Sequence, residues 1–551
     1  MIGKRPSYLI SNALKLHHGT ITSKKLIENC ILSLKEYEKL NAVTEFNEEE
    51  SLAKANEADA LLKSHSNNTN NQSKILLGLP ISIKDNFCMK GYKTTAGSKV
   101  LEDFISPYNA TIVDKINMVG GIPCMKTNMD EFGMGSASLT SIHGAVKSPL
   151  TDKNGNSMSA GGSSGGAAAV VAAGIIDAAI GSDTGGSVRQ PASFCGLVGF
   201  KPSYGSLSRH GLLSYASSMD TPGVITNNVI DVALLFDVLK GYDPLDSTST
   251  TSSNSQSISA LRYITNNTKT EEDVTLSDLE AAQKLIENND NTTANLKLKD
   301  CVIGVPDECW VDELDESVAT ALTTSIKALE TAGATVRSVS IPLLKAALPC
   351  YYVLACAEAS SNLMKYDGIR YGYRTNNEIK DSNYDAFADA TSLHQEVART
   401  RGESFGPEVI RRILTGTFVL SEAQMAAYYG TARQLRQKLI QQIQSIMTNN
   451  NNNNNNNSDS SVDALLLPTV AKLPFSSNPE DIPDGNTMLL YDQFTVPANL
   501  TGQPAISIPV PVSSTGNDNG SPPTVGMQLV GQRGEDHHLL HIAAALEQTF
   551  K

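Results

Sequence analysis

Short apolar strands alternate with helices of small residues in the first part of the chain, and this alternation most constrains the fold. "PISI", "IPCMK" and "CGLVGF" indicate buried strands, and helices are predicted around Ala110–Met118 and over "AAAVVAA". A later helix before the strand "ATVRSVSI" is indicated by apolar residues at helical spacing: Val318, Leu322, Ile326 and Leu329. Strands that alternate with helices are typical of α/β proteins, so we predict an α/β fold.

Lys84 directly follows the strand "PISI", at a place where its ammonium would be poorly solvated. Burial can lower the pKa of a lysine by several units, and a neutral amine can act as a general base. The alternative is a lysine whose apolar stem lies against the core while its head reaches water, or one paired with a carboxylate. The residue alone does not decide between these interpretations.

Four glycines flank Ser163 and Ser164 in "GGSSGG", directly before the helix "AAAVVAA". Glycine lets other groups approach the backbone closely, so a small hydroxyl here can lie between two catalytic groups. A glycine-rich turn before a helix can also hold a phosphate, but this stretch lacks the GK[ST] ending of a P-loop. An ordinary loop is the other interpretation of the segment.

The segment "GSDTGGS" ends on Ser187, in a setting that suits a nucleophile. A predicted oxyanion hole, worth about 3 to 4 kcal/mol per donor, consists of three unencumbered backbone N–H groups, those of Thr184, Gly185 and Gly186. The segment is not a G-x-S-x-G nucleophile elbow, and no His or Asp partner follows it. The base is therefore expected to be Lys84.

Taken in order, these three segments resemble the amidase signature family, which uses a Ser–Ser–Lys triad whose middle serine lies next to a cis peptide bond. The resemblance implies that Lys84 is the base, that Ser163 relays the proton and that Ser187 forms the acyl-enzyme. A hydroxyl both donates and accepts hydrogen bonds, which suits a relay between two groups that do not touch. The resemblance also implies a single large domain with a mixed central sheet covered by helices.

Later segments are similar to the A-subunit family of glutamyl-tRNA(Gln) amidotransferases, and the resemblance runs from about Leu9 to the C-terminal helix. The segments are "KTNMDEFGMGSAS", "KPSYGSLSRHGLLSYASSMDTPG", "KYDGIRYGYRT", "FGPEVIRRILTGTF" and "FTVPANLTGQPAISIP". The resemblance implies that Arg412 and Asp492 recognise glutamine. An arginine can bind the α-carboxylate through two hydrogen bonds, and an aspartate can accept from the α-ammonium. For each residue the alternative is a structural salt bridge.

Polar low-complexity tracts interrupt the segments that carry the resemblance. Such tracts bury too little surface to offset the entropy of ordering them, so we predict flexible surface insertions. They cover about 64–74, 244–258, 265–297, 448–461 and 513–522. We expect an N-terminal helical segment over 1–60 and the catalytic domain over 61–551.

The formal net charge of −14 and the lack of a dense Lys/Arg stripe make this chain a poor candidate for binding tRNA alone. Phosphate neutralisation drives affinity for nucleic acids, so a partner is expected to bind the tRNA. The resemblance implies a B subunit that binds Glu-tRNA(Gln) and activates its carboxyl with ATP and Mg²⁺, and a small C subunit that joins the two. No cofactor is expected in this chain itself.

The eight cysteines have no C-x-x-C spacing and indicate buried thiols in a reducing compartment. His537 and His541 lie four apart on a predicted helix, which is a spacing that metal ligands use. No third ligand follows in a matching pattern, so no metal is expected.

No apolar stretch reaches the length of a membrane span, so no membrane partner is expected. The first residues contain no acid up to Ile27 and carry five bases, as mitochondrial presequences do: Lys4, Arg5, Lys15, Lys24 and Lys25. Because the resemblance begins near Leu9, these residues could instead form the first helix of the folded protein. We expect the mitochondrial matrix, with the cytoplasm as the alternative.

With these observations, the resemblance implies a glutaminase subunit that hydrolyses glutamine and supplies ammonia for converting Glu-tRNA(Gln) to Gln-tRNA(Gln). One alternative is a free-standing amidase that acts on a small amide and needs no partner. Another is a catalytically silent scaffold that holds the other subunits together.

Overall fold

The computed structural model describes residues 8–64, 74–152, 154–251, 258–266, 274–287, 296–375, 392–447, 461–512 and 524–550. Three of the predicted insertions lie almost wholly outside these ranges, namely 64–74, 448–461 and 513–522. Residues 1–7, the first part of the predicted targeting segment, also lie outside them.

An eleven-stranded mixed sheet forms the centre of the described structure. In the order in which neighbours pair, the strands are β1 (Val43–Phe46), β3 (Ile122–Thr127), β2 (Pro80–Lys84), β6 (Ala178–Asp183), β8 (Thr221–Thr226), β7 (Val198–Lys201), β12 (Ala505–Pro511), β13 (Thr524–Gly531), β11 (Ala464–Pro468), β9 (Val302–Pro306) and β10 (Thr335–Val339). Parallel pairs lie towards both ends of the sheet, and the strands between them are antiparallel. A small separate hairpin pairs β4 (Lys147–Thr151) with β5 (Ser157–Ser159).

Helices pack against this sheet and against one another. In chain order they are α1 (Tyr8–His17), α2 (Ser23–Glu36), α3 (Glu48–Ser64), α4 (Thr111–Met118), α5 (Gly165–Ala172), α6 (Arg189–Phe194), α7 (Val229–Leu239), α8 (Ala260–Ile264), α9 (Leu276–Glu287), α10 (Glu316–Thr331), α11 (Ala347–Asn362), α12 (Ser392–Ser404), α13 (Pro407–Val419), α14 (Thr431–Met447), α15 (Gly485–Leu490), α16 (Val496–Thr501) and α17 (Asp536–Gln548). Of the helices described, none is both long and apolar enough to cross a membrane. The predicted α/β fold with a mixed sheet and covering helices is confirmed.

The serine-bearing part of the chain is built around two helices that are buried on nearly every side. α5 consists of Gly, Ala and Val, and all but its last residue is buried, as expected for a helix without a polar face. α7 is likewise almost wholly apolar and packs on β7 and β8. These helices fix the neighbouring ends of the sheet strands, where the candidate site lies.

The first helix, α1, shares the main core, so the boundary expected between 1–60 and 61–551 does not divide the described structure. Leu9 and Ile10 of α1 are fully buried in the same apolar cluster as Ile81 of β2. β1 lies inside the 1–60 range and forms the edge of the sheet, where it pairs with β3. α3 also runs across the expected boundary at 60/61. The described residues therefore form one domain.

Two predicted insertions contain ordered structure that composition had hidden. Within 265–297, residues 276–287 form α9, which packs against α1 and α8. Leu279 and Ala282 are fully buried, because the segment combines polar residues with an apolar stripe at helical spacing. Within 244–258, the buried Asp246 accepts a hydrogen bond from the N–H of Arg209 at 2.8 Å. These parts therefore contain secondary structure or tertiary contacts that the sequence analysis did not predict, and the rest of both ranges includes residues outside the described ones.

Candidate active site

Lys84 is the last residue of β2, and its side chain is fully buried. Its Nζ lies 2.7 Å from Ser163 Oγ, 2.8 Å from Ser164 Oγ and 3.0 Å from Ser182 Oγ. The carbonyl oxygen of Ser182 lies 3.3 Å away. Within the described part of the chain, no carboxylate forms an ion pair with Lys84. Neither alternative interpretation of this lysine fits, since its head does not reach water and no described residue is an acidic partner for it.

Burial lowers the pKa of Lys84 to about 7, against the opposing charges of Asp130, Asp183 and Asp220. A large fraction of the amine is therefore neutral near neutral pH, as a general base must be. A neutral amine has one lone pair that can accept the proton of Ser163, and two N–H groups for the other oxygens. The charged form has three N–H groups, which matches the three hydroxyls around it.

Close packing around the "GGSSGG" loop explains its glycines. A Cβ on Gly162 would collide with the carboxylate of Asp130, and one on Gly166 would collide with the carbonyl of Asn128. Only glycine permits such close approach. The Gly162–Ser163 peptide bond is cis, as the family resemblance implied. The loop is therefore part of the buried site, and the interpretation as an ordinary surface loop is wrong.

Asp183 organises the loop that carries Ser187. Its carboxylate accepts from the N–H of Gly186 at 2.9 Å and from that of Val188 at 3.2 Å. The guanidinium of Arg189 donates to both of its oxygens, at 3.0 and 2.9 Å. Burial alone would raise the pKa of Asp183, but Arg189 and Asn499 lower it to about 2. The carboxylate therefore stays charged and fixes the turn at Ser187.

The predicted oxyanion hole needs one correction, because the N–H of Gly186 already donates to Asp183. The charged carboxylate is the stronger acceptor, so this N–H is not free for a substrate. The N–H groups of Thr184 and Gly185 remain as candidate donors. The carbonyl of Gly185 accepts from the hydroxyl of Thr495 at 2.6 Å, which helps to fix the orientation of this loop.

A backbone hydrogen bond connects the loop that carries Ser187 to the loop that carries Ser163. The N–H of Ser164 donates to the carbonyl of Ser187 at 3.2 Å. In the described structure the hydroxyls of Ser163 and Ser187 do not hydrogen-bond to each other, so the relay requires rotation of a hydroxyl. Ser187 is 9% exposed and Ser163 is 1% exposed, so the expected nucleophile faces the opening of the site.

Arg412 lies in α13 and is almost fully buried. Its Nε donates to Glu408 at 2.6 Å, and its Nη1 donates to the hydroxyl of Tyr215, also at 2.6 Å. The guanidinium carbon lies 5.4 Å from the ring centroids of both Tyr215 and Tyr352. The structural salt bridge weighed from the sequence is thus present, yet it occupies only one edge of the guanidinium.

Asp492 precedes α16 and is buried, and it contacts hydroxyls instead of a cation. The hydroxyl of Tyr352 donates to it at 2.8 Å, and that of Ser136 lies 2.9 to 3.0 Å from its two oxygens. Burial raises the pKa of Asp492 to about 6, despite these hydrogen bonds and the charge of Arg412. Among the described residues it forms no ion pair, so the alternative of a structural salt bridge finds no support at Asp492.

Several residues that build the site were not predicted from the sequence. Ser182 and Asp183 lie inside "GSDTGGS", so closer attention to that motif could have found them. Asn86, whose Nδ2 donates to Ser182 Oγ at 2.9 Å, follows Lys84 by two residues. Tyr352 comes from a distant helix, α11, and only the fold reveals it.

All eight cysteines are buried and unpaired, as the sequence predicted. Within the described residues, the histidines at metal-ligand spacing, His537 and His541, do not belong to a cluster of candidate metal ligands. Such a cluster is formed instead by Cys301, Asp463 and His538. It lies on different elements from the Lys84 site.

Comparison with known proteins agrees with this geometry. The family model for amidases matches residues 25–540. The A subunit of glutamyl-tRNA(Gln) amidotransferase from Roseobacter denitrificans is 38% identical over 535 residues, which cover 97% of this chain and 95% of that protein. The protein of the same name from Legionella pneumophila strain Philadelphia 1 is 38% identical over 533 residues, with the same two coverages.

Solved structures give the same result. The A subunit of glutamyl-tRNA(Gln) amidotransferase from Thermotoga maritima is 32% identical, with a TM-score of 0.70, and the match covers 99% of this chain and 95% of that one. A 6-aminohexanoate cyclic dimer hydrolase, 21% identical with a TM-score of 0.71 over 98% of this chain and 96% of its own, shares the fold alone. The family model and the relatives span nearly the whole chain, which therefore belongs to the amidase family, among the glutamyl-tRNA(Gln) amidotransferase A subunits.

Proposed function

We propose that this chain hydrolyses glutamine through Lys84, Ser163 and Ser187 and supplies the ammonia to an amidotransferase. The observation that carries the proposal is a fully buried lysine, 2.7 Å from the hydroxyl of Ser163, with no carboxylate partner among the residues that the structure describes. A buried lysine of lowered pKa can act as a general base. A backbone hydrogen bond from Ser164 to Ser187 also joins the two serine loops. The mitochondrial location, the ATP dependence and the partner proteins are part of the same proposal.

The reaction begins when Ser187 Oγ attacks the side-chain amide carbon of glutamine. Its proton passes to Ser163, whose own proton passes to the neutral Lys84. The oxyanion forms against the N–H groups of Thr184 and Gly185. The C–N bond then breaks, and the proton on Lys84 returns through Ser163 to the leaving nitrogen, which departs as ammonia. Water cleaves the glutamyl ester by the same proton route and restores Ser187.

Arg412 and Asp492 would bind the two charged groups on the glutamine α-carbon. Glu408 accepts from Nε of Arg412 and the hydroxyl of Tyr215 accepts from Nη1, which leaves the Nη2 donors for an α-carboxylate. The buried carboxylate of Asp492 would accept from the α-ammonium. Tyr352 lies between the two side chains and would set the distance between them.

Partners would carry the remaining steps. The relatives are named as A subunits of an enzyme that acts on glutamyl-tRNA(Gln). We propose a heterotrimer in which the B subunit holds Glu-tRNA(Gln), ATP and Mg²⁺, and the C subunit joins it to this chain. The net charge of −14 supports this division, since an acidic chain has little affinity for tRNA phosphates.

The mitochondrial matrix is the proposed location, and the cytoplasm is the alternative. The support is the acid-free, basic stretch up to Ile27. Since Leu9 and Ile10 are fully buried, a cleavage beyond them would expose the core, so a removed signal should end before Leu9. Import of the full chain into isolated mitochondria, followed by protease protection, tests this; a chain that stays protease-sensitive outside the organelle contradicts it.

Replacing the nucleophile tests the proposed reaction. Ser187→Ala should lower ammonia release from glutamine by several orders of magnitude, because groups that act as a unit fail together. Ammonia would be measured for the purified chain, alone and with the B and C subunits. Release that depends on Ser187 and rises with the partners is the expected result.

Other outcomes of that measurement favour the alternatives. Equal release with and without partners would indicate a free-standing amidase. No release in any mixture, with assembly of the complex intact, would indicate a silent scaffold. Ser163→Ala should behave like Ser187→Ala, since it interrupts the proton route without touching the nucleophile.

The pH dependence should report the state of Lys84. Only its neutral form can accept a proton, so kcat/KM for glutamine should rise with pH through about 7 and then level off. Below about pH 6, kcat/KM should fall more steeply, because Asp492 becomes protonated and no longer binds the α-ammonium. Asp492→Asn should remove the lower inflection and keep the upper one. A profile that stays flat through pH 7 would disprove the assignment of the base.

Neighbouring arginines provide a matched test of substrate binding. Arg412→Gln should raise the KM for glutamine by about ten- to a hundredfold, which corresponds to loss of about 1.5 to 3 kcal/mol of charged hydrogen bonding. Arg411→Gln is the control, because Arg411 also pairs with Glu408 but is exposed. Its KM should stay close to that of the wild type. Equal effects of the two changes would show that only the pairing with Glu408 matters.

A further inference from the structure

Three side chains of different chemistry meet where two parallel strands begin. Cys301 directly precedes β9 and Asp463 directly precedes β11, and these strands are paired with Ile303 opposite Ala464. His538, in the first turn of α17, reaches the same point. One thiol, one carboxylate oxygen and one imidazole nitrogen all lie within 4.8 Å of one another.

The carboxylate and the imidazole are oriented by bonds outside the cluster. Asp463 Oδ2 accepts from the N–H of Val302 at 2.7 Å, while Oδ1 lies 3.8 Å from His538 Nε2. The other ring nitrogen, Nδ1, lies 3.4 Å from the hydroxyl of Tyr263. Histidines that bind metals commonly engage an oxygen through the second nitrogen in this way, which fixes the tautomer.

The backbone of Cys301 is held by two hydrogen bonds, and the cluster can still be reached from solvent. The N–H of Cys301 donates to Leu298 at 3.1 Å, and its carbonyl accepts from the N–H of Thr335 at 2.8 Å. Cys301 is 6% exposed, whereas the side chains of His538 and Asp463 are 31% and 40% exposed. An ion could therefore enter from the side of the histidine and the carboxylate.

We propose that Cys301, Asp463 and His538 bind one divalent cation of the zinc class, with water as the fourth ligand. A mixed set of sulfur, nitrogen and oxygen ligands suits zinc, whereas magnesium and calcium prefer oxygen alone. Zinc bonds of about 2.0 to 2.3 Å place tetrahedral ligands under about 4 Å apart, so small side-chain rotations would close the site. Binding replaces the proton of the Cys301 thiol by the metal and releases it to solvent.

The neighbouring histidines do not share this arrangement. His537 Nε2 lies 3.5 Å from Glu535, and the ring of Tyr263 packs edge-on against His537 and His541, at 4.8 and 5.4 Å between centroids. The spacing that draws attention in the sequence therefore serves packing on Tyr263. His541 is a suitable control, because it lies on the same helix and touches the same tyrosine as His538.

A bound ion would join the C-terminal helix α17 to the starts of β9 and β11. These strands lie next to one end of the sheet, away from β2 and β6, which carry Lys84 and Asp183. The proposed site is thus separate from glutamine hydrolysis and does not depend on the proposed function. Binding of the ion is expected to stabilise the folded chain.

The test is metal binding by the full chain after removal of bound metals with a chelator. Zn²⁺ would be titrated by calorimetry, and Co²⁺ by absorption, where a thiolate ligand gives a charge-transfer band. One ion per chain is expected, together with the cobalt band and a higher unfolding temperature in Zn²⁺. Cys301→Ser and His538→Gln should each weaken binding at least about tenfold. His541→Gln and Cys309→Ser, whose thiol is buried elsewhere, should bind like the wild type.

Several results would overturn the proposal. Wild-type chain that takes up less than one Zn²⁺, or shows no cobalt–thiolate band, would do so without any variant. Wild-type affinity in Cys301→Ser or His538→Gln would place the ion elsewhere, as would equal loss in His541→Gln. Where Cys301→Ser fails to fold, Asp463→Asn replaces it, and retained tight binding in that variant contradicts the assignment of the oxygen ligand.

Discussion

The site depends on a buried lysine that forms no ion pair with a carboxylate in the described part of the chain. Burial lowers the pKa of Lys84 to about 7, and the charges of Asp130, Asp183 and Asp220 limit the decrease. A carboxylate in direct contact would hold the lysine as a permanent ammonium, which cannot accept a proton. Hydroxyls surround the amine and the acids lie farther out, so its neutral and charged forms are both populated near neutral pH.

The same three carboxylates also hold the loops that surround Lys84. Asp130 accepts from the backbone N–H groups of 138–140, and Asp220 accepts from those of 215–216. Asp183 fixes the turn at the nucleophile and is itself paired with a guanidinium. Other donors also engage them, Thr184 for Asp220 and Asn499 for Asp183. Among the described residues, none of the three acids forms an ion pair with the lysine. Loop geometry and the pKa of the base therefore have a common cause.

The expected glutamine-binding groups are pre-arranged in a similar manner. Arg412 is held by Glu408 and Tyr215, and Asp492 is held by Tyr352, so neither side chain must be ordered when substrate arrives. The two charges are not paired with each other in the described structure. Direct pairing would have to be broken by the substrate, whereas a tyrosine between them keeps both charges available. Fixed charges that are not paired with each other reduce the free energy that binding must supply.

Local motifs predicted those parts of the structure that depend on residues close together in the sequence. β2, α5 and the burial of Lys84 follow from apolar runs and a glycine-rich turn, and the structure has these features as expected. The engagement of Gly186 by Asp183 escaped prediction because the motif does not show which amide a carboxylate will bind. Contacts between distant segments depend on the strand order, in which β11 lies between β13 and β9. That order brings Asp463 to the N–H of Val302, 161 positions away along the chain, and no spacing rule within the sequence encodes this contact.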